Sequence, residues 1–197
     1  MIVYTAIFGN YDQLKSISLP EGWRAIVYSD KQIKCEGWEC FQVNMIFSPV
    51  LMARYYKTKL CPSGRTIWID ANLEYRGDWK ALDLDGLTVM EHPERNCIYQ
   101  EAQACIRLKK DMTIKIVKQV QQYREEGYPE NNQLAATGIV IRNNHDALNL
   151  AWWQEILNNS HRDQLSFNYV CWKMKIQYKT IPFLKDTIKT RHALGCY

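Results

Sequence analysis

The feature that most constrains this chain is a short apolar run that ends in two polar side chains, Thr66-Ile67-Trp68-Ile69-Asp70-Ala71-Asn72. The run has strand-forming character, and burying the carboxylate that follows it is costly unless the group is paired or bound to a metal. Ligands of open α/β sheets gather at the carboxyl ends of strands, and alternation places Asp70 and Asn72 on one side. In this pattern both side chains could bind one divalent cation through oxygen, or one could bind the cation while the other accepts a hydrogen bond from a sugar hydroxyl. A polar turn, which Asp and Asn also favour, is the alternative.

The rest of the chain alternates between strand-like and helix-like patterns. Strands are predicted over residues 2–8, 24–28, 41–43, 66–69, 87–90, 138–141 and 178–181, and helices over residues 50–60, 99–108, 112–126, 148–157 and 163–174. The apolar spacing in the helix over residues 112–126 predicts a buried face formed by Ile114, Val117, Val120 and Tyr123. Asp111 is its predicted N-cap. Strands alternating with helices predict an α/β fold with a mixed, mostly parallel sheet flanked by helices. A chain of 197 residues fits a single domain, residues 1–197.

Composition and charge exclude few classes of protein but favour a cytoplasmic one. No run approaches the roughly 18 apolar residues of a membrane span, and the first residues lack the features of a signal peptide. The seven cysteines form no CxxC pair, which favours reduced thiols. A net charge of +4 does not by itself indicate nucleic-acid binding.

Three charged residues are candidates for contacts with a nucleotide. Asp30 follows the second predicted strand, where an acidic side chain either binds ribose hydroxyls or opens a turn. Arg54 and Lys57 are spaced to share one helix face, from which they could reach a diphosphate. Solvated surface positions are the alternative for both cations.

Two further segments are dense in polar side chains. The segment from Glu91 to Glu101 predicts a substrate-facing loop that contains His92, with Arg95 and Glu101 in an ion pair; a plain surface loop is the alternative. Asp163 at a helix start is either part of a capping box with Ser160 or a catalytic carboxylate kept ionised by the helix N-terminus. His192 near the chain end could complete an oxygen, oxygen, nitrogen ligand set for a metal.

Several motifs in one order carry a resemblance to a known family. They are Tyr4-Thr5-Ala6-Ile7-Phe8-Gly9-Asn10-Tyr11-Asp12, Tyr28-Ser29-Asp30, Ala53-Arg54-Tyr55-Tyr56-Lys57, Trp68-Ile69-Asp70-Ala71-Asn72, the run from His92 to Ala102, Trp152-Trp153-Gln154-Glu155-Ile156, and Arg162-Asp163-Gln164-Leu165-Ser166-Phe167. Over about residues 2–182 the chain resembles a glycosyltransferase-like family, formerly described as a domain of unknown function, that includes plant Golgi members. The resemblance implies a GT-A fold that binds a nucleotide sugar through a DxD-type motif and a divalent cation, usually Mn²⁺, with Mg²⁺ as the other choice.

The resemblance also implies roles for individual residues. Asp70 and Asn72 occupy the DxD-type place, although Asn72 is a neutral and weaker ligand than a carboxylate. The positions implied to flank the nucleotide and its phosphates are Thr5, Ala6, Phe8, Asp30, Arg54 and Lys57. Asp163 and Gln164 are implied to line the sugar and acceptor side.

The sequence therefore predicts a glycosyltransferase that moves a sugar from a nucleotide-diphosphate sugar to a hydroxyl of a glycan or other acceptor, aided by a divalent cation. The metal ligands are predicted to be Asp70, Asn72 and His192, with the tail of about residues 183–197 folding over the site. A non-catalytic nucleotide- or glycan-binding module with the same fold is the first alternative. A nucleic-acid-binding protein, indicated by the basic segment from Lys173 to Arg191, is a weaker one.

Overall fold

The computed structural model describes residues 1–183 and 185–189, and these residues form nine strands and five helices. The strands are β1 (Ile2–Ile7), β2 (Arg24–Ser29), β3 (Glu39–Gln42), β4 (Arg65–Ile69), β5 (Leu73–Tyr75), β6 (Thr88–Glu91), β7 (Ala135–Asn143), β8 (Lys179–Ile181) and β9 (Thr187–Lys189). The helices are α1 (Pro49–Lys57), α2 (Ile98–Arg107), α3 (Thr113–Glu125), α4 (Asp146–Asn158) and α5 (Asp163–Lys173), with a 3₁₀ turn over Trp79–Leu82.

Seven of the described strands form one sheet in the order β3-β2-β1-β4-β7-β6-β8. All pairs are parallel except those of β7, which runs antiparallel to β4 and β6. The two remaining strands, β5 and β9, form a separate antiparallel pair. The predicted α/β fold with a mixed, mostly parallel sheet is confirmed, and the arrangement is consistent with a GT-A-like fold.

The central strand β1 is buried on both faces, as expected for a strand covered by helices on one side and loops on the other. Tyr4 and Phe8 belong to the larger core cluster, together with Trp68 of β4. Val3 packs into the smaller cluster on the opposite face, together with Ile67. Alternation along β1 therefore decides which of its side chains can reach a site on a given face.

The turn after β1 depends on a glycine. Gly9 has φ +63°, a left-handed conformation, and a Cβ at this position would lie 2.8 Å from Cγ of Pro49 at the start of α1. A side chain at position 9 would therefore be strained and would also push against α1. The glycine lets the end of β1 and the beginning of α1 lie against each other.

The last residue of α1 is fixed from inside the core. The carbonyl oxygen of Lys57 accepts hydrogen bonds from the hydroxyl of Tyr4, at 3.3 Å, and from the guanidinium of Arg142. Arg142 is 2% exposed and also donates to Oδ1 of Asn149 in α4 at 2.6 Å. The end of α1 is thus tied to β1, β7 and α4 through its backbone.

The structure corrects the predicted face of α3. Ile114 and Val117, predicted to be buried, are 55% and 42% exposed, whereas Tyr123, predicted on the same face, is buried together with Ile116 and Gln119. Gln119 tolerates burial because its Nε2 donates to the hydroxyl of Tyr123 at 2.7 Å, so its amide is not left without a partner. The face with the polar residue therefore packs inward, and two aliphatic side chains face outward.

The predicted N-cap of α3 is also wrong. The residue at the N-cap position is Met112. Asp111 instead accepts hydrogen bonds at Oδ2 from the hydroxyl of Ser160, at 2.8 Å, and from the backbone N–H of His161, at 2.7 Å. Its Oδ1 accepts a hydrogen bond from the backbone N–H of Met112 at 2.7 Å, so the carboxylate joins the turn before α5 to the start of α3 without being the N-cap residue.

Candidate active site

A cleft of about 640 Å³ opens at the carboxyl ends of β1 and β4 and at the start of α5. Its position agrees with the rule that ligands of open α/β sheets bind beyond the carboxyl ends of the strands. Many of the residues singled out in the sequence line it: Ala6, Phe8, Arg54, Asp70, Asn72, His92, Arg95, Asp163 and Gln164. Sequence segments that are far apart along the chain thus converge on one cleft.

A buried lysine joins two of the carboxylates that line this cleft, Asp70 and Asp163. Nζ of Lys57 lies 3.2 Å from Oδ1 of Asp70 and 2.5 Å from Oδ2 of Asp163, and the lysine side chain is 0% exposed. The rings of Trp68 and Trp152 lie 5.5 and 5.9 Å from the ammonium nitrogen, within the range of cation–π attraction. The two acidic side chains therefore form ion pairs with the same buried ammonium group.

Asp163 is the more enclosed of the two carboxylates, with a side chain that is 4% exposed. Besides Lys57, it contacts Nε of Arg54 at 3.1 Å through Oδ1 and the hydroxyl of Thr137 at 2.9 Å through Oδ2. Burial opposes ionisation, but the charges of Arg54 and Lys57 outweigh it and hold the pKa of Asp163 well below its usual range. Asp163 is therefore a fixed anion across the physiological pH range.

Asp70 is more open, with a side chain that is 29% exposed. Its Oδ1 accepts hydrogen bonds from Nε1 of Trp68 at 2.7 Å and from Lys57. Its Oδ2 lies toward Gly138, where an added Cβ would be only 3.6 Å away. The two donors fix the orientation of the carboxylate, and the glycine leaves space beside its second oxygen.

This donor set fits a cation that is bound together with a diphosphate. In the described part of the chain, no group of three or more His, Cys, Asp and Glu side chains is arranged to hold a metal alone. Mg²⁺-type cations are commonly held by one or two carboxylates together with substrate phosphates and water, so Asp70 with Asn72 suffices for that mode. Asn72 is buried, at 7% exposed, and lines the cleft. The third predicted ligand, His192, lies outside the described residues.

Arg54 lies between the buried ion pairs and the cleft. Its Nε also donates to the backbone oxygen of His161 at 3.3 Å, and 15% of its side chain is exposed. A guanidinium held in this way is preorganised to meet an anion entering the cleft.

The loop that contains His92 forms the ion pair predicted from the sequence. Nε of Arg95 lies 2.7 Å from Oε2 of Glu101, whose side chain is 7% exposed. Nδ1 of His92 accepts hydrogen bonds from the backbone N–H groups of Glu94 and Arg95, each at 3.1 Å. Burial lowers the pKa of His92, although the nearby Glu101 carboxylate partly opposes that shift. The loop therefore presents a neutral imidazole and a fixed guanidinium to the cleft.

Four of the predicted site residues do not line the cleft. Thr5 points to the opposite face of the sheet from Ala6 and Phe8 because side chains alternate along β1. Oδ1 of Asp30 accepts a hydrogen bond from the backbone N–H of Gly9 at 3.1 Å and so stabilises the turn after β1. Lys57 and Glu101 lie behind the surface and hold other site residues in place.

Sequence reasoning missed several residues that shape the site. Trp68 was assigned only to a strand, yet it orients Asp70, and Thr137 lies beside the predicted strand over residues 138–141 and holds Asp163. Arg162 also lines the cleft, and Phe183 and Lys189 bring the described part of the tail to it. Trp68 and Arg162 stand inside quoted motifs, but no pattern indicates the contacts of these residues, most of which join distant segments. Beyond Lys189, the predicted closure of the tail over the site stays a prediction.

The fold and the cleft define a candidate transferase site in an α/β protein. A family model described as TOD1/MUCI70, glycosyltransferase-like domain, matches residues 51–192, which is more than half of the chain. The protein belongs to this glycosyltransferase-like domain family, as its resemblance predicted, and the membership supports a glycosyltransferase-type function. A search of curated proteins gave no match. Among the described residues, no helix is both long enough and apolar enough to cross a membrane.

Proposed function

We propose that the protein transfers a sugar from a nucleotide-diphosphate sugar to an acceptor hydroxyl in this cleft. The observation that carries the proposal is the buried Lys57, which holds Asp70 and Asp163 at the cleft while Arg54 completes the charge arrangement. Building such a group inside a protein requires desolvation of several charges, which stability alone does not favour. A site that must bind and stabilise a charged substrate accounts for it.

The donor is proposed to lie between β1 and α1. Ala6 and Phe8 supply an apolar wall for the nucleotide, and Arg54 is positioned to contact the diphosphate. A charge-assisted hydrogen bond from a guanidinium to a phosphate oxygen is among the stronger polar contacts in proteins. Arg54 is therefore proposed to stabilise the negative charge that grows on the leaving diphosphate.

Asp70 and Asn72 are proposed to hold a divalent cation, Mn²⁺ or Mg²⁺. When bound, that cation would neutralise the diphosphate while the glycosidic bond breaks. The chain's own residues orient the carboxylate of Asp70. Trp68 and Lys57 donate hydrogen bonds to its Oδ1, and its Oδ2 faces Gly138.

Asp163 is proposed to act as an anion rather than as the base that removes the acceptor proton. A base works best with a pKa near the operating pH, whereas the pKa of Asp163 is lowered and its two oxygens are engaged by Arg54, Lys57 and Thr137. A fixed negative charge at this place would favour the positive charge that develops on the sugar ring. Nε2 of Gln164 is buried without a hydrogen-bond partner among the described residues and is proposed to donate to the sugar or acceptor.

A binding module without catalysis is the second candidate. Asn72 in place of a carboxylate and the close approach of Lys57 to Asp70 both reduce the negative charge offered to a cation. Such a module would bind the nucleotide sugar or a glycan in the same cleft and release it unchanged.

The test has two stages. Thermal shift is measured with a series of nucleoside diphosphates and nucleotide sugars, each with and without Mn²⁺, and product formation is then followed for any donor that stabilises the protein. Metal-dependent stabilisation by one nucleotide, followed by transfer, supports the transferase, whereas stabilisation without hydrolysis or transfer supports the module. Stabilisation by DNA or RNA alone would refute both.

Two variants sharpen the assignment of residues. Asp70→Ala should abolish the metal-dependent part of the shift, whereas Asp85→Ala, at a side chain that is 89% exposed and away from the cleft, should leave it unchanged. If Asp70→Ala and Asp163→Ala both kept full transfer, the proposed site would be wrong.

A further inference from the structure

The corner between α2 and α3 exposes an unusual number of aliphatic side chains. We call residues 107–118 the corner patch. Its exposed apolar side chains are Leu108 at 52%, Met112 at 59%, Ile114 at 55% and Val117 at 42%. Single exposed apolar residues are normal, but four within eleven positions of one helical corner form a local apolar surface.

The outward direction of this surface is fixed by the packing of α3. Ile116 is 0% exposed and packs with Leu165 of α5, while Tyr123 is 0% exposed and bonded to Glu155 of α4. Helical geometry places Ile114 on the opposite side of the helix from these two residues and Val117 on the adjoining flank. Turning them inward would require Ile116 and Tyr123 to leave the core, so their exposure belongs to the folded state.

The corner patch is also strongly cationic. It contains five basic residues, Arg107, Lys109, Lys110, Lys115 and Lys118, and one acidic residue, Asp111. Oδ2 of Asp111 is turned toward residues 160–161, where it accepts hydrogen bonds from the hydroxyl of Ser160 and the backbone N–H of His161. These twelve residues therefore carry a formal charge of +4, equal to that of the whole chain.

We propose that the corner patch is a docking surface for an anionic lipid bilayer. The exposed apolar residues are Leu108 at the end of α2, Met112 at the start of α3, and Ile114 and Val117 within α3. Exposed apolar side chains interspersed with lysine and arginine are typical of segments that lie in the membrane interface. The aliphatic groups enter the boundary of the acyl chains, and the flanking cations meet the headgroup charge. A second copy of this chain fits less well, because it would bring the same positive charges face to face.

A nucleic acid also fits less well than a bilayer. Binding of single strands relies on aromatic side chains that stack on bases, and the corner patch contains none. Its apolar residues are aliphatic, which suits insertion between lipids.

Docking in this way would set the orientation of the cleft relative to the membrane. Lys110 and Asp111 line the cleft as well as belonging to the corner patch. The docked protein would present one end of its cleft to acceptors at the membrane surface. This consequence rests on the proposed transfer function. The docking itself does not depend on that function and is tested without any donor.

The test uses the full chain and vesicles of two compositions, phosphatidylcholine alone and phosphatidylcholine with about one-third phosphatidylglycerol. Co-sedimentation should show binding to the anionic vesicles and weakening with added salt, because headgroup attraction is screened. Lys109→Glu and Lys118→Glu should each weaken binding by about fivefold or more, since each removes a cation near the surface.

The double variant Ile114→Ser with Val117→Ser should also lose most of the binding. Its matched control is Leu150→Ser with Leu157→Ser on α4, where the two leucines are 46% and 38% exposed and lie outside the corner patch. Circular dichroism verifies that each variant is folded, and sites of this exposure usually tolerate substitution.

Four results would overturn the proposal. The first is equal or absent binding to both vesicle types at low salt, and the second is an equal loss of binding in the patch and control variants. The third is a dimer in solution that Ile114→Ser with Val117→Ser dissociates, which would assign the surface to a second copy. The fourth is binding to RNA with higher affinity than to anionic vesicles, lost in the lysine variants, which would assign the surface to nucleic acid.

Discussion

Lys57→Met is the most informative single substitution in this protein. Methionine keeps an unbranched apolar stem but removes the ammonium that joins Asp70 and Asp163. The variant therefore tests whether the two carboxylates depend on one buried cation, with little change in packing volume.

The expected loss of stability can be worked out from the contacts that remain. Removing one partner of a buried ion pair costs about 3–5 kcal/mol, because the other charge is left uncompensated. Asp163 would keep Arg54 at 3.1 Å and Thr137 at 2.9 Å. We therefore expect a loss near the lower limit, about 3 kcal/mol. For a chain of this length that corresponds to a fall in Tm of about 6–12 °C.

The pH dependence provides an independent readout. The pKa of Asp163 is lowered in the folded protein, so its stabilising effect is present above the ordinary carboxyl pKa of 3.8 and is lost as the pH falls below it. The difference in free energy of unfolding between wild type and Lys57→Met should be full at neutral pH and shrink below about pH 4. Urea titrations at several pH values measure it.

An exposed ion pair serves as the control. Arg24 and Glu39 lie 2.6 Å apart but are 54% and 49% exposed, so Arg24→Met should lower the free energy of unfolding much less than Lys57→Met does. A double-mutant cycle of Lys57→Met with Asp163→Asn should show coupling above about 1 kcal/mol. Losses that add within about 0.5 kcal/mol would show that the two residues are energetically independent and would refute the reasoning.

Three other perturbations have defined outcomes. Burial lowers the pKa of three histidines, His92, His145 and His161. Stability should thus be full above about pH 6.5 and fall below it, and a Tm that stays flat from about pH 8 to pH 5 would contradict this. Gly138→Ala should lower Tm, measured by thermal unfolding, because its Cβ would lie 2.7 Å from Cδ1 of Leu73, and should weaken the Mn²⁺-dependent shift, because that Cβ would lie 3.6 Å from Oδ2 of Asp70. Glu101→Gln should raise KM more than it lowers kcat in transfer assays, because Arg95 loses its buried charged partner at 2.7 Å and keeps only the exposed carboxylate of Glu94; an unchanged KM would exclude that role.

Local patterns predicted the elements of the fold well. Apolar β-branched runs predicted β1, β2 and β4, and the Pro and Gly residues around α1 predicted its limits to within a few residues. The short pair of β5 and β9 was missed, because each strand has three residues and the pairing joins distant segments. The prediction for α3 failed for a different reason. The helix carries apolar residues on two faces, and the choice between them depends on the packing of Ile116 with Leu165 of α5 and with α2, which are distant in the sequence.

The candidate site could be predicted only in part. The chemistry of Asp70 and Asp163 is visible in the sequence, because acidic residues after a buried strand or at a helix start are unusual enough to draw attention. The spacing of Arg54 and Lys57 on one helix face was also visible, but not that Lys57 turns inward between the two carboxylates. That arrangement depends on the tertiary fold, which brings Asp163 at the start of α5 and Asp70 after β4 to the end of α1, and no local pattern encodes it.

The backbone attachment of Lys57 has a consequence for how the protein moves. Its carbonyl oxygen is held by Tyr4 and Arg142, which belong to the central strands of the sheet. The final turn of α1 should therefore open only when the sheet itself opens, and its amide protons should exchange with solvent among the slowest in the chain. The positive charge between the two carboxylates would then be set in place during folding, so that substrate arrival requires no rearrangement of it.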